Sequence, residues 1–165
     1  MSKLDELIAK LCPNGVEYKP LLSVADVLYG YPCDASLFNT EGYGKPLARI
    51  RNVLEGTSDT YTAQEVPNMY ILNDGDLLVG MDGNFHVANW KINGGILCQR
   101  VCKIVSKGNE STVLNRYLSH LLKPVIKQIE INKPSGTVKH LLDKDIKAIS
   151  IPVPPLPVQE EIVRI

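Results

Sequence analysis

The segment Ile151–Val163 reads IPVPPLPVQEEIV, and the expected organisation of the chain follows from it. Prolines occupy four of its first seven positions. Because proline fixes φ and cannot donate a helical hydrogen bond, this run predicts a stiff, extended exit from a folded domain. Helical spacing resumes only in Gln159–Ile165, which has too few turns to be stable alone. We therefore predict a domain over residues 1–157 and, over 158–165, the beginning of a longer helix that is cut off.

Length and composition agree with one domain. The chain has 165 residues, of which 44% are hydrophobic, so it can bury one core but not two of ordinary size. No window contains the roughly 18 apolar residues of a membrane helix. The polar start, Met1–Glu6, has no apolar stretch behind it, unlike a signal peptide. These features predict a cytoplasmic protein.

Upstream of the proline run, alternating and helical patterns follow one another. Leucine and isoleucine recur at helical spacing in residues 4–11, behind a capping Ser2 and before the turn Pro13–Gly15. A helical turn is expected over Ala35–Asn39. Pro46–Val53 alternates, which predicts a strand with Arg49 and Arg51 on the same face.

The middle of the chain predicts a hairpin and a buried strand. Leu77–Met81 and Phe85–Trp90 are extended runs joined by Asp82-Gly83-Asn84, a turn of the Asp-Gly type. Ile96–Val105 carries apolar residues on both sides, which is typical of a central strand.

A helical stripe then begins at Thr112 behind a Ser111 cap, and Lys123-Pro124 should break or kink it. A polar loop, Asn132–Thr137, precedes a helical turn capped by Asp143 and a last strand over Ala148–Val153. These elements predict a mixed α/β (α+β) fold with a twisted, mostly antiparallel sheet flanked by helices.

The formal charge is zero, but the charges are segregated along the chain. Lysine and arginine number 18, as do aspartate and glutamate. Residues 1–83 carry 6 basic and 12 acidic side chains, whereas residues 84–142 carry 9 and 2. A locally basic region can attract a polyanion whatever the total charge. We therefore expect one positive face formed by residues 84–142, with the acidic part facing elsewhere.

The sequence lacks the common catalytic and metal-binding motifs. It has no phosphate-binding Gly-rich loop, no nucleophile elbow, and no Asn/Asp-Pro-Pro-aromatic motif of adenine methyltransferases. The histidines, the turn aspartates and the cysteines lack ligand spacing, so the cysteines are expected to be ordinary reduced thiols. A nuclease could use Asp143, Asp145 and Lys147 around Mg²⁺, although helix capping explains these residues more simply.

The polar and planar side chains suit DNA better. The guanidinium group of arginine can recognise guanine with two donors, and the side-chain amides of asparagine and glutamine can recognise adenine. Lysine side chains and hydroxyl groups contact phosphates. His86 and Trp90 can bond or stack on bases. The predicted DNA-binding residues are Arg49, Arg51, Asn84, His86, Asn89, Trp90, Lys91, Lys133, Ser135, Thr137, Lys139 and His140.

Several segments, taken in order, resemble the target-recognition domain of the specificity subunit of type I restriction-modification systems. The exit segment resembles the family's Ile-Pro-Leu-Pro-Pro-Leu-x-x-Gln-x-x-Ile signature. Lys45–Val53 and Gly75–Gly83 resemble its Pro-x-Ile-Arg-Ile and Gly-Asp-Ile-Leu segments, and Gly95–Val101 and Gly136–Leu141 fall where the family has similar ones. The resemblance covers essentially the whole chain.

The resemblance implies a non-catalytic protein without a cofactor of its own. A complete subunit has two such domains joined by long helices, each domain reading half of a split DNA target. The helices dock methylation subunits, which modify adenine with S-adenosylmethionine, and restriction subunits then join. With one domain, this chain resembles a half-subunit or an excised domain, and two copies could associate through the spacer helix. Gln159, Ile162 and Ile165 would bind the partner.

Two other functions remain open from the sequence. One is a nuclease or methyltransferase fragment, which rests on Asp143, Asp145 and Lys147. The other is a protein-interaction module that uses the exit helix and reads no DNA itself. The leading hypothesis is a sequence-specific DNA-binding specificity component.

Overall fold

A computed structural model describes residues 1–165. The helices are α1 (Lys3–Leu11), α2 (Leu21–Val24), α3 (Asn115–Asn132), α4 (Asp143–Lys147) and α5 (Leu156–Ile162). The strands are β1 (Tyr18–Pro20), β2 (Ala25–Tyr29), β3 (Phe38–Asn39), β4 (Lys45–Ala48), β5 (Tyr61–Thr62), β6 (Leu77–Gly80), β7 (Val87–Asn89), β8 (Ile96–Leu97), β9 (Val101–Ser106) and β10 (Ser150–Pro152). Short 3₁₀ turns cover Ala35–Leu37, Ile50–Asn52 and Asn68–Tyr70. No helix is long and apolar enough to cross a membrane.

The central sheet has four antiparallel strands in the order β2-β9-β6-β7. The predicted hairpin is confirmed, with Val79 opposite Val87 and Leu77 opposite Asn89. Every residue of β6 is buried, because its two faces pack into different clusters. Leu77 and Val79 face the larger cluster, which includes the apolar side of α3, and Leu78 faces the smaller one.

A second four-stranded sheet has the order β3-β5-β4-β8, and only its β4–β8 pair is parallel. The smaller cluster lies between the two sheets and includes Leu72, Leu78, Trp90, Leu97 and Val101. The mixed α/β fold with mostly antiparallel strands is therefore confirmed.

The two ends of the chain are tied together. β1 pairs with β10, placing Tyr18 opposite Pro152. α1 contacts α5, and Lys3 Nζ lies 3.0 Å from Glu161 Oε2. The predicted cap of α1 is confirmed, because Ser2 Oγ accepts from Asp5 N while the Asp5 carboxylate accepts from Ser2 N.

Two predicted strands are wrong in their extent. The run Ile96–Val105 is split into β8 and β9, which belong to different sheets, and Arg100 turns the chain between them with φ 66°. The run Pro46–Val53 ends as a strand at Ala48 and continues as a 3₁₀ turn. Arg49 and Arg51 therefore do not share a sheet face.

The helix predictions also need correction. α3 begins at Asn115 without a Ser111 cap, and Glu110 Oε2 accepts from Asn115 N at 2.8 Å. It continues through Pro124 because Pro124 and His120, the residue four positions before it, are exposed, so water can satisfy the free carbonyl. In α4, Asp145 rather than Asp143 accepts from Leu142 N, at 2.8 Å.

The exit helix begins earlier than predicted. α5 starts at Leu156, and Pro157 lies in its first turn, where backbone N–H groups have no partner within the helix. The proline run therefore starts a helix instead of excluding one up to residue 157. Val158 and Gln159 are buried, so this part of the helix packs on the domain.

Candidate nucleic-acid interface

Three separate segments meet at the end of the β6–β7 hairpin. Arg100 Nε donates to Asp82 Oδ2 at 2.8 Å, and Arg100 Nη2 contacts Oδ1 at 2.6 Å. His140 Nδ1 lies 2.7 Å from the same Oδ1. Backbone bonds support these contacts, since Met81 N donates to Arg100 O and Leu141 N donates to Met81 O. The hairpin turn, the Gln99-Arg100 turn and the strand-like segment near His140 are thereby fixed together.

The ion cluster orients an exposed arginine. Hydrogen bonds from Arg100 hold the pKa of Asp82 below its usual range, and His140 adds to this effect. Asp82 is therefore a stable anionic anchor at neutral pH. The arginine bonds to it through Nε and Nη2, and its side chain remains 42% exposed. Nη1 makes no hydrogen bond within the protein.

Clefts lie on either side of the Gln99-Arg100 turn. One, of about 420 Å³, extends toward Cys33, Phe38, Arg49 and Arg51. The other, of about 370 Å³, extends toward Tyr29, Leu141 and Asp143. We call the region that surrounds the turn the turn surface and define it as Arg49–Arg51, Asp82–Asn84, Gln99–Arg100 and Lys139–His140.

The turn surface contains several of the predicted DNA-binding residues. Arg51, Asn84 and His140 are exposed on it. His86 lies just behind the turn and is partly exposed, and its carbonyl accepts from Gly80 N. Arg49 is half-buried: Nη2 donates to Thr60 Oγ1 at 2.9 Å, and the guanidinium lies 5.4 Å from the centre of the Phe38 ring. Arg49 is thus committed to internal contacts that help to hold the cleft.

The polar loop after α3 reaches the turn surface from the side. Gly83 N donates to Lys139 O, which fastens the loop to the hairpin turn. Lys139 Nζ donates to Glu130 O at 2.8 Å, and Lys133 Nζ contacts Asp145 Oδ2 at 2.6 Å. Both lysines therefore anchor the loop internally, which was not predicted. Ser135 and Thr137 are exposed between these anchors, and their phosphate contacts stay a prediction.

Three residues that the sequence predicts to contact DNA, Asn89, Trp90 and Lys91, lie at the end of the β6–β7 hairpin opposite its turn. Trp90 as a DNA contact is wrong: it is 1% exposed in the smaller cluster, and Nε1 donates to Gly94 O at 3.1 Å. Asn89 Nδ2 donates to Gly75 O and Ser119 Oγ, so its amide is engaged in the fold. Lys91 is exposed, but it lies beside Gly56, away from the hairpin turn.

Of the three predicted partner-binding residues, one is buried, one is partly buried and one is exposed. Gln159 is wrong as a contact residue because it is fully buried, with Nε2 bonded to Thr112 O and Pro154 O and Oε1 to Leu114 N. Ile162 packs partly against the larger cluster, whereas Ile165 is 86% exposed.

The predicted separation of acidic and basic parts is wrong in three dimensions. Ion pairs join Arg100 to Asp82, Lys103 to Asp76, and Lys107 to Asp26, each connecting the basic segment to the acidic one. The cause is the sheet order, because β9 lies between β2 and β6. Charges that are far apart in sequence therefore neutralise one another locally.

Sequence reasoning missed the residues at the centre of the turn surface. The apolar pattern places Gln99 and Arg100 in a continuous buried strand, although a polar pair inside an apolar run is a signal of a turn. For Asp82 the sequence predicts only a turn-forming role. Its role depends on Arg100 and His140, which are 18 and 58 positions away, a proximity that the spacing does not reveal.

The carboxylates of the nuclease hypothesis have other partners. Asp143 accepts from Tyr29 Oη and pairs with Lys147, while Asp145 binds Lys133 and the backbone of Leu142. Across the chain, no group of three or more His, Cys, Asp or Glu side chains is arranged to hold a metal ion.

Glu130 supports the hairpin turn from below. It is 7% exposed, its Oε1 accepts from Phe85 N at 2.6 Å, and its Oε2 accepts from Lys127 Nζ at 2.8 Å. The Lys127 bond lowers the pKa of Glu130, and the Phe85 N–H lowers it further, against the opposing effect of burial. The carboxylate therefore connects the C-terminal part of α3 to the residue that follows the turn.

Replacing Glu130 by glutamine should lower the free energy of unfolding by about 1–2 kcal/mol at neutral pH, because charge-assisted hydrogen bonds are lost. Since the folded pKa is depressed, the contribution is complete above the unfolded value of about 4.3 and disappears as pH falls through the folded pKa. Urea unfolding from neutral to acidic pH measures this convergence of variant and wild type. Glu55→Gln, at an exposed site, is the control, and a constant difference at every pH would contradict the assignment.

Comparisons with known proteins converge on one family. The family model described as type I restriction modification DNA specificity domain matches residues 13–165. The chain is 39% identical over 138 residues to the type I restriction enzyme EcoBI specificity subunit of Escherichia coli. That match covers 84% of this chain and 29% of the relative, so the chain spans less than a third of the relative's length.

Solved structures share the fold. A chain from a structure that concerns assembly and conformational transition of the type I R-M system has a TM-score of 0.70 at 20% identity, over 92% of this chain and 37% of that one. The S subunit from M. genitalium gives 0.68 at 15% identity, covering 92% and 38%. The HsdS subunit from Thermoanaerobacter tengcongensis gives 0.65 at 21%, covering 98% and 40%.

Proposed function

Because this chain belongs to the type I restriction modification DNA specificity domain family, we propose that it binds duplex DNA and reads one half of a split target sequence. The observation that carries this proposal is the Asp82-anchored Arg100 on the turn surface. A guanidinium held by a carboxylate behind it is pre-oriented to donate to a base edge, so little side-chain entropy is lost on binding.

The turn surface offers the chemistry of direct readout in the major groove. Arg51 and Arg100 can donate to guanine, and Asn84 and Gln99 can form paired bonds with adenine. Asn84, Gln99 and Arg100 come from two turns that the ion cluster fixes together, and Arg51 comes from the 3₁₀ turn in the wall of the adjacent cleft. Ser135 and Thr137, exposed on the adjacent loop, would contact phosphates and set the register of the domain on the duplex.

The domain would act as a non-catalytic specificity component. In this proposal, methylation subunits modify adenine and restriction subunits cleave at the site that the domain selects, and the protein works in the cytoplasm. Contact with the methylation subunits, or with a second copy of the chain, would use the exposed Ile165, which follows α5. Gln159 is excluded from this contact because it is buried.

The test is selection of bound sequences from a randomised duplex library, followed by affinity measurements on the selected duplex. Arg51→Ala should reduce the preference for the selected sequence by about 5- to 150-fold, the range expected for loss of one base contact. Arg116→Ala removes another exposed arginine, one on α3 that makes no ion pair, and is the control. Both variants should depend similarly on salt at non-specific sites, apart from the loss of one charge each.

Equal sequence preference in wild type, Arg51→Ala and Asn84→Ala would overturn the placement of the readout on the turn surface. Absence of any selected sequence at low salt would count against DNA reading by this chain.

A further inference from the structure

Two thiols meet under the turn surface. Cys33 Sγ and Cys98 Sγ are 3.4 Å apart, although the residues are 65 positions apart in sequence. The backbone enforces this approach, because Tyr31 N donates to Leu97 O at 2.8 Å and Gln99 N donates to Tyr31 O at 2.9 Å. At Gly30 the two segments are so close that a Cβ atom would lie 1.7 Å from Cys98 O. The backbone segments that carry the two cysteines are therefore held together.

The two thiols differ in access and acidity. Cys98 is 3% exposed, whereas Cys33 is only partly buried, and both line the cleft that contains Arg49 and Arg51. Their mutual hydrogen bond lowers the pKa of Cys33 and raises that of Cys98, which burial raises further. Cys33 is thus the more accessible thiol, and the Cys98 sulfur lies 3.4 Å from it. This is the arrangement of a reactive thiol beside a resolving one.

The other cysteines lack these properties. Cys12 is buried near the end of α1, and Cys102 is fully buried in β9, where burial raises its pKa to about 12. Neither has another cysteine sulfur within hydrogen-bonding distance. They provide internal controls for any thiol chemistry.

We propose that Cys33 and Cys98 form a reversible redox pair that responds to peroxide. The Cys33 thiolate attacks one peroxide oxygen, the O–O bond breaks, and Cys33 becomes a sulfenic acid with release of hydroxide, which takes up a proton as water. The Cys98 sulfur then attacks the Cys33 sulfur. The S–O bond breaks, a second water leaves with the Cys98 proton, and a disulfide remains. In total, two thiols and one hydrogen peroxide give one disulfide and two waters, and a dithiol reductant reverses the change.

The disulfide would reach the turn surface directly. Closing the sulfur–sulfur distance from 3.4 Å to about 2.05 Å must move at least one of the two side chains. Cys98 immediately precedes Gln99 and Arg100, and Cys33 lies in the wall of the cleft that Arg51 shares. If the proposed DNA reading is correct, oxidation shifts base-reading side chains and weakens specific binding.

The experiment treats the intact chain with hydrogen peroxide, followed by thiol counting and mass spectrometry. The wild type should lose two of its four thiols and 2 Da of mass, with a Cys33–Cys98 linked peptide that dithiothreitol removes. Cys12→Ser should behave in the same way. Cys98→Ser should instead accumulate a sulfenic acid at Cys33 that dimedone traps, and Cys33→Ser should form no disulfide.

Retention of four thiols at peroxide concentrations that oxidise free cysteine would overturn the proposal. So would a bridge to another cysteine, or over-oxidation of Cys33 in the wild type before a disulfide forms. These three outcomes are measured on the wild type without DNA, so they do not depend on the proposed function or on the folding of a variant.

The coupling to DNA is measured separately on the selected duplex. Oxidised wild type should bind about tenfold more weakly than reduced protein, the loss expected for one base contact, and Cys33→Ser should not respond to peroxide. A disulfide without any change in affinity would overturn the coupling alone. Failure of reduced protein to bind any duplex would count against the proposed function and leave the thiol result standing.

Discussion

Replacing Trp90 by alanine should lower the free energy of unfolding by about 3–5 kcal/mol, as expected for removal of a buried large side chain. The indole is 1% exposed and packs among Leu72, Leu78, Leu97 and Val101, between the two sheets. Its removal leaves a cavity there and frees the carbonyl of Gly94, the partner of Nε1. Gly95 lies against the same ring and has no side chain that could move into the cavity.

Urea unfolding followed by far-UV circular dichroism measures this loss, since the only tryptophan is removed. Tyr43→Ala changes an aromatic residue that is 69% exposed and should stay within about 0.5 kcal/mol of wild type. A Trp90→Ala protein with wild-type stability but no affinity for DNA would contradict the buried position and restore the stacking role predicted from sequence.

Replacing Gln159 by leucine should lower the free energy of unfolding by about 1–3 kcal/mol, the cost of a buried polar group left without its partner. Leucine has a similar size, so packing is nearly kept, but three backbone groups that bond the buried Gln159 amide lose their partner. These are Thr112 O, Pro154 O and Leu114 N, the last at the start of α3. Each unsatisfied group contributes about 1–3 kcal/mol when it is buried without water.

The same urea titration tests this expectation, with Glu160→Leu as the matched control, because Glu160 is the exposed neighbour of Gln159 in α5. Equal stabilities of the two variants would show that the buried bonds contribute little. If Gln159→Leu instead left stability intact and abolished assembly with methylation subunits, the partner-binding role predicted for this residue would be restored.

The parts of the fold that follow from local chemistry were predictable. The Asp-Gly turn between two apolar runs predicted the hairpin, and Ser2 with the leucine spacing predicted α1, because both depend on nearby residues. The split between β8 and β9 was not, since both sides of Ile96–Val105 are apolar in either case. Only the pairing of β8 with β4 and of β9 with β2 and β6 determines where the chain must turn.

The candidate site shows the same division. Arg51 and Asn84 could be chosen by residue type, and the structure leaves both exposed on one surface. Arg100 could not, because its orientation comes from Asp82 in another strand connection. The predictions for Trp90 and Gln159 are wrong because a side chain that can bind a ligand can equally well pack or form hydrogen bonds in the interior, and burial is a property of the tertiary fold.

The pairing of β1 with β10 and of α1 with α5 has a consequence for how a longer polypeptide could carry this fold. The polypeptide enters and leaves the domain at neighbouring positions. Inserting the domain between two segments of a longer chain therefore keeps those segments close together, and the entropic cost of closing the loop is small. Such a unit can be exchanged for another with different turns while the flanking chain keeps its geometry. The readout of a protein built this way could change by recombination at the two neighbouring ends, without any change in its assembly surfaces.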